Sequence, residues 1–149
     1  AAGFEAYEVS NHARGTAARS AHNLHVWRGG DYLGLGPGAH GRLTLDGVRT
    51  ATVAHRRIAD YVAGVSDRTP WSERDAQTAA DAAEERLLLA LRTTEGAPVA
   101  LLSALGLSPE GAPVADLIAD GFLMLNAERL IATERGRPVL DGVLKALLT

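Results

Sequence analysis

Cysteine is absent from these 149 residues. A chain without thiols forms no disulfide framework and carries no cysteine nucleophile. Within these residues it also offers no thiolate to zinc or an iron–sulfur cluster. Long apolar runs are missing as well. No stretch approaches the roughly 20 residues of a membrane-spanning helix, and no charged, apolar and then small-residue series opens the chain as a secretory signal would. Nor is there an excess of positive charge. The net charge is −3, so no overall basic field points to nucleic acid or an anionic membrane. The charge divides unevenly: residues 1–71 hold eight Lys/Arg and six Asp/Glu, and residues 72–149 hold seven and twelve, giving +2 and −5. All five histidines lie at or before position 55, which puts the candidate chemistry in the first part. The hydrophobic content of 46% is that of a globular chain, long enough for one domain with a core or for the tail of a larger protein. It begins Ala1-Ala2-Gly3 and enters a strand-like segment at once, as expected of a cut through a longer protein.

Phe4 to Ser10 is rich in aromatic and β-branched residues and reads as a strand whose neighbours are expected upstream. Asn11 to Ala21 reads as a loop, and Tyr32 to Leu35 as a second strand stopped by Gly34-Leu-Gly-Pro-Gly. Arg42 to Val53 predicts a β-hairpin, because Asp46-Gly47 supplies the positive φ angles of a two-residue turn between alternating flanks. Ala54 to Val65 spaces Ile58, Tyr61, Val62 and Val65 as an amphipathic helix. Ser66 to Trp71 is the expected linker. From Ser72 the composition shifts to helix formers, with helices predicted over Asp75–Thr93, Val99–Leu105 and Ala112–Asp120. A hairpin of Phe122–Leu125 and Arg129–Ala132 follows, then a last helix from Thr133 to Leu148. Three helices, a hairpin and a closing helix are in winged-helix-like order. The expected domains are therefore 1–65 and 72–149, joined by 66–71. DNA is not an expected partner: no Lys or Arg lies between Arg92 and Arg129, and the would-be recognition helix carries only Asp116 and Asp120.

One stretch concentrates the chemistry. His22 to Gly41 packs three of the five histidines, a tryptophan and six glycines into a short run. Gly36, Gly38 and Gly41 match G-x-G-x-x-G, but a hairpin rather than a helix is predicted to follow, and Pro37 lacks an amide for phosphate. A glycine turn where backbone closes on a ligand or an adjacent strand reads better than a nucleotide fingerprint. His22 and His25 form an H-x-x-H pair, with His12 and His40 near in sequence. Imidazoles so placed serve as metal ligands, as a heme axial base, or as loop side chains bonded to backbone. Trp27 fits a core anchor or a plate for a planar ligand. Arg19, Arg28 and Arg42 suit carboxylate partners or plain solvation. Ser10 lacks the glycine elbow of a serine hydrolase, and the tail pairs Glu84/Glu85 and Asp116/Asp120 read as solvated helix faces.

Tyr7-Glu-Val-Ser-Asn11, His22-Asn-Leu-His-Val-Trp27 and Asp31-Tyr-Leu-Gly-Leu-Gly-Pro-Gly-Ala-His40, in that order, resemble the C-terminal part of a radical S-adenosylmethionine family. It is the family of oxygen-independent coproporphyrinogen III oxidase and the HemW-type heme chaperone. Glu85, Leu91-Arg92, Glu95-Gly96, Thr133 and Gly136 resemble its C-terminal domain. The resemblance implies an α+β fold: the last strands of a partial (β/α) radical-SAM barrel plus a winged-helix-like domain. It implies an S-adenosylmethionine and 4Fe–4S cluster for the longer protein, held on three cysteines that this chain lacks, so the chain alone is expected to be inactive as an enzyme. It implies heme at His22, Asn23 and Trp27, with His22 the candidate iron ligand; Val26 stands where the family has Tyr, removing a hydroxyl and an aromatic face. Tyr7, Glu8, Asn11, Gly36, Gly38, Ala39 and His40 are the implied cofactor or substrate pocket. The function so implied is heme binding and transfer, in the cytoplasm, to an acceptor protein. Radical decarboxylation of coproporphyrinogen III and a winged-helix interaction module without a small molecule are the alternatives.

Overall fold

In the computed structural model, which describes residues 2–149, the opening strand is shorter than its composition suggests. Only Glu5–Ala6 (β1) is paired as a strand, with His12–Ala13 (β2), and Glu8 adds a single bridge to Thr93. The expected loop ends in a helical turn at Thr16–Ala18 and then in a helix, Ala21–Trp27 (α1). Ser20 starts α1 by accepting a hydrogen bond from the Asn23 amide at 3.2 Å, the usual work of an N-cap serine. Tyr32–Leu35 does not form the second strand. Tyr32 makes one bridge, to Arg42, and the glycines that follow turn the chain away.

The hairpin is where the alternation places it, as His40–Leu45 (β3) and Val48–Ala54 (β4), with Asp46 at φ 49° and Gly47 at φ 78° in the turn. The amphipathic segment is helical over Ile58–Ser66 (α2). The linker expected at 66–71 is only a turn over 67–70. Trp71–Ala76 (β5) comes straight back to pair antiparallel with β4, making a three-stranded sheet in the order β3-β4-β5. Asp75 and Ala76 therefore belong to a strand, and the next helix starts later, at Ala79–Ala90 (α3). Thr78 sets that start. Its hydroxyl accepts from the Asp81 amide at 3.1 Å, while the Asp81 carboxylate accepts from the Thr78 amide and hydroxyl at 3.1 and 2.7 Å. This reciprocal cap holds the Asp81 carboxyl below its usual range, the Thr78 hydroxyl contributing most.

Past Ala97–Pro98 (β6) and Ala100–Ala104 (α4), Pro113 opens Ala112–Ala119 (α5), where its missing amide does no harm. Leu123–Asn126 (β7) and Arg129–Ala132 (β8) form the second predicted hairpin, and β6 adds to it in the order β6-β8-β7. The last helix is shorter than its pattern. Residues 133–136 turn, Arg137–Val139 make a single tight turn holding Pro138, and the helix proper is Leu140–Leu148 (α6).

The chain forms two compact units that do not follow the expected domain boundary. One runs up to Gly29 and resumes with Ala83–Thr149; the other is Gly30–Ala82. The reason is β5, which hydrogen-bonds to β4 and so keeps the segment after the turn with the strands before it. The apolar core lies in the first unit: Leu87 and Leu91 of the α3 region, Leu102, Val114, Leu123, Leu130, Leu140 and Leu144 are all buried together. In the Gly30–Ala82 unit, Ala54 and Thr52 are buried, whereas Ile58, Val62 and Val65 of α2 stay exposed.

Candidate functional site

α1 carries the candidate heme residues, and Tyr7 sets where it begins. The Tyr7 ring is buried, and its hydroxyl accepts from the amide of Ser20, the capping residue, at 3.3 Å. Backbone bonds from Val9 to Arg92 (2.9 Å) and from Thr94 to Tyr7 (3.1 Å) tie this strand to the end of α3. Glu8 beside it is buried, and neither carboxylate oxygen has a hydrogen-bond partner among the described residues. Asn11 uses its carbonyl to accept from the Tyr7 amide at 3.2 Å.

On a helix, residues four apart share a face and residues five apart diverge by about 140°. Asn23 therefore lies above Trp27, and His22 above Val26. His22 is exposed at the first turn, and its imidazole makes no hydrogen bond or ion pair among the described residues. Trp27 is half-buried: the Arg92 guanidinium lies over its ring at 5.5 Å, and its indole N–H is shielded from solvent without an acceptor. The ring lines a cleft of about 180 Å³ with Arg28, Arg86, Thr93, Glu95 and Arg129.

Electrostatics organise that cleft. Arg28 forks onto Glu95, its Nε donating to Oε2 at 2.9 Å and an Nη to Oε1. Arg129 donates to the backbone carbonyls of Glu95, at 2.6 Å, and of Gly96. The Arg28 hydrogen bond holds the Glu95 carboxyl below its ordinary value near 4.5, with the charges of Arg28, Arg129 and Arg19 adding to it and burial opposing. The same pair raises Arg28. A carboxyl lowered on folding contributes stability that is fully present above about pH 4.5 and is lost as pH falls through its folded value. The urea midpoints of the native protein and of Glu95→Gln are thus expected to differ at pH 7 and to converge below pH 4.5. A difference that persists unchanged at pH 3 contradicts this.

The glycine turn closes on itself. Gly36, at φ 104°, donates its amide to the Tyr61 hydroxyl at 3.1 Å; Gly38 donates to the His55 carbonyl at 2.9 Å and Ala39 to the Gly36 carbonyl at 3.2 Å. These amides are spent within the Gly30–Ala82 unit, and β3 follows directly, so no helix N-terminus opens there to hold a pyrophosphate. His40 is the exposed first residue of β3. Among the described residues, no group of three or more His, Asp or Glu side chains is placed to hold a metal.

Arg86, Arg92 and Arg129 were not legible as site residues. Arg86 reads from sequence as one position in a helical pattern, and Glu95 only as part of the family resemblance. Arg28, a candidate carboxylate partner, already has one in Glu95.

Residues 77–139 match the HemN C-terminal domain. The chain is 39% identical over 150 residues to the heme chaperone HemW of Mycobacterium tuberculosis H37Rv, covering 99% of this chain and 36% of that protein. It is 34% identical over 152 residues to HemW of Escherichia coli K12, covering 99% and 39%. Among solved structures, coproporphyrinogen III oxidase (HemN) from Escherichia coli, a radical SAM enzyme, matches with a TM-score of 0.57 at 16% identity over 80% of this chain and 29% of that one, a likeness of fold. The chain is thus similar to HemN-like radical SAM proteins, with a HemN C-terminal domain over residues 77–139 and likeness along its whole length to part of HemW-type heme chaperones. It spans between a third and two fifths of the length of the curated relatives it matches.

Proposed function

We propose that this chain is the heme-handling part of a radical-SAM heme chaperone, binding heme through α1 and releasing it to an acceptor protein. The observation that carries the reading is the state of His22: an exposed, unengaged imidazole at the start of a short capped helix, in a motif shared with the family. Such an imidazole serves as an axial base without first breaking a hydrogen bond. The cleft beside Trp27, about 180 Å³, lies below the 300–1,000 Å³ range of enclosing ligand pockets. A tetrapyrrole held at His22 would therefore stay largely on the surface, which suits a carrier that must give up its cargo. Tyr7 acts here by fixing the cap of α1. Asn23 stands on the Trp27 face of the helix, while Glu8 and Asn11, and separately the turn of Gly36, Gly38, Ala39 and His40, keep in this reading the role of cofactor or substrate contacts of the longer protein.

The chain has no cysteine, so a 4Fe–4S cluster held on three cysteines does not fit these residues and belongs to the rest of the longer protein. We also infer that the early strands continue a partial (β/α) barrel and that α3 to α6 with the β6-β8-β7 sheet form a winged-helix-like appendage. The order of helices and hairpin supports this. A cytoplasmic location is part of the same reading.

Hemin added to the full-length protein is expected to give a shifted Soret band. His22→Ala should lose that shift, with affinity falling at least about tenfold, the low end of what disturbing a metal site costs. A wild-type protein that gives no Soret shift overturns the reading. Turnover of coproporphyrinogen III by the cluster-reconstituted protein would assign it to the oxidase instead.

A further inference from the structure

The cleft at the C-terminal end of α1 carries more positive charge than its surroundings neutralise. Arg28, Arg86 and Arg129 line it against a single carboxylate, Glu95. Arg28 is held by that carboxylate, and Arg129 by backbone carbonyls, which satisfy its donors but not its charge. Arg86 has neither: its side chain makes no ion pair or hydrogen bond among the described residues. It is nevertheless placed. At Gly29 an added Cβ would sit 3.0 Å from the Arg86 Cγ, so the bare glycine is what lets the arginine stem cross the end of α1. The orphaned indole N–H of Trp27 belongs to the same wall. Arg86 is exposed, and it lines the cleft together with two further arginines and the Trp27 indole, a set of groups that suits a carboxylate beside a flat apolar body.

We propose that this cleft is a carboxylate subsite in which Arg86 receives a propionate arm of the bound tetrapyrrole. The proposal rests on the heme reading above and adds what orients the ring. The cleft admits an acid side arm and excludes a macrocycle.

The test compares hemin with hemin dimethyl ester, whose propionates are uncharged, on the full-length protein. Wild type is expected to bind hemin about tenfold more tightly than the ester, the scale of one charge-assisted hydrogen bond. Arg86→Ala should weaken hemin about tenfold and leave the ester unchanged, and Arg86→Lys should recover part of the loss. Lys145→Ala, an exposed charge on α6, should change neither. The wild-type comparison needs no variant, so it stands even if a substitution disturbs folding. If hemin binds in a His22-dependent way but esterification and Arg86→Ala leave its affinity alone, the subsite is wrong and the heme reading survives. If wild type binds neither ligand, both fall.

Discussion

Gly96→Ala is expected to destabilise the protein by roughly 2–5 kcal/mol, a large share of the stability of an ordinary domain. Two physical effects add at this position. Gly96 has φ +70°, a conformation L side chains rarely adopt, and strain of that kind alone is worth about 1–3 kcal/mol. An added Cβ would also meet the Leu130 carbonyl oxygen and lie 2.6 Å from the Ile131 Cγ1. The carbonyl belongs to β8 and cannot swing aside as a side chain would, because Leu130 is paired with Ala97 on β6. Gly106→Ala is the matched control. It has φ +69° with open space around the missing Cβ, so only the strain should appear, about 1 kcal/mol. Urea denaturation of both variants measures the difference; equal losses would mean that the close approach to β8 contributes nothing. Because Gly96 also lines the Trp27 cleft, weaker ligand binding should accompany the lost stability.

Leu87→Ala is expected to cost about 2–5 kcal/mol, the range for emptying a leucine site in a packed core. Leu87 is fully buried in one cluster with Leu91, Leu102, Val114, Leu123 and Leu130. The side chains around it come from two helices and the β7–β8 hairpin, so the cavity cannot be closed by moving one loop. Ile58→Ala on α2 serves as the contrast. That side chain is 71% exposed, and its loss should stay within about 0.5 kcal/mol. Denaturation midpoints compare the two directly. Similar values for both would show that the Leu87 site collapses and that the apolar cluster is not the seat of stability.

These two contrasts mark how far the residues could be read in one dimension. The hairpins were legible because their turn chemistry is local: Asp46-Gly47 needs only its own backbone angles, and alternation assigns the flanks. α4 and α5 were legible for a similar reason, being bounded by glycines and by a proline at a helix start. β5 was not. Trp71-Ser-Glu-Arg-Asp-Ala is polar and nearly all exposed, so nothing in its composition speaks for a strand; only hydrogen bonds to β4 make it one. Tyr32–Leu35 failed in the opposite sense, since its apolar pattern suits a strand but no neighbour pairs with it beyond a single bridge.

The candidate site divides in the same way. His22, Asn23 and Trp27 were picked out by their resemblance to a family motif, and their spacing places Asn23 over Trp27 and His22 away from it once the segment is known to be helical. The charge pattern of the cleft was invisible. Arg28, Arg86, Glu95 and Arg129 are separated by dozens of residues, and no local rule joins them. Composition settled the absence of a cluster-binding cysteine here, local spacing settled the turns and helices whose causes lie within a few neighbouring residues, and the family entered only through the resemblance of three ordered motifs. Folding in space decided which strands pair, where the chain divides into units, which apolar faces are covered, and which of the arginines is left with a charge unmatched. Pairing, burial and charge balance are sums over residues distant in the chain, and only the assembled fold performs them.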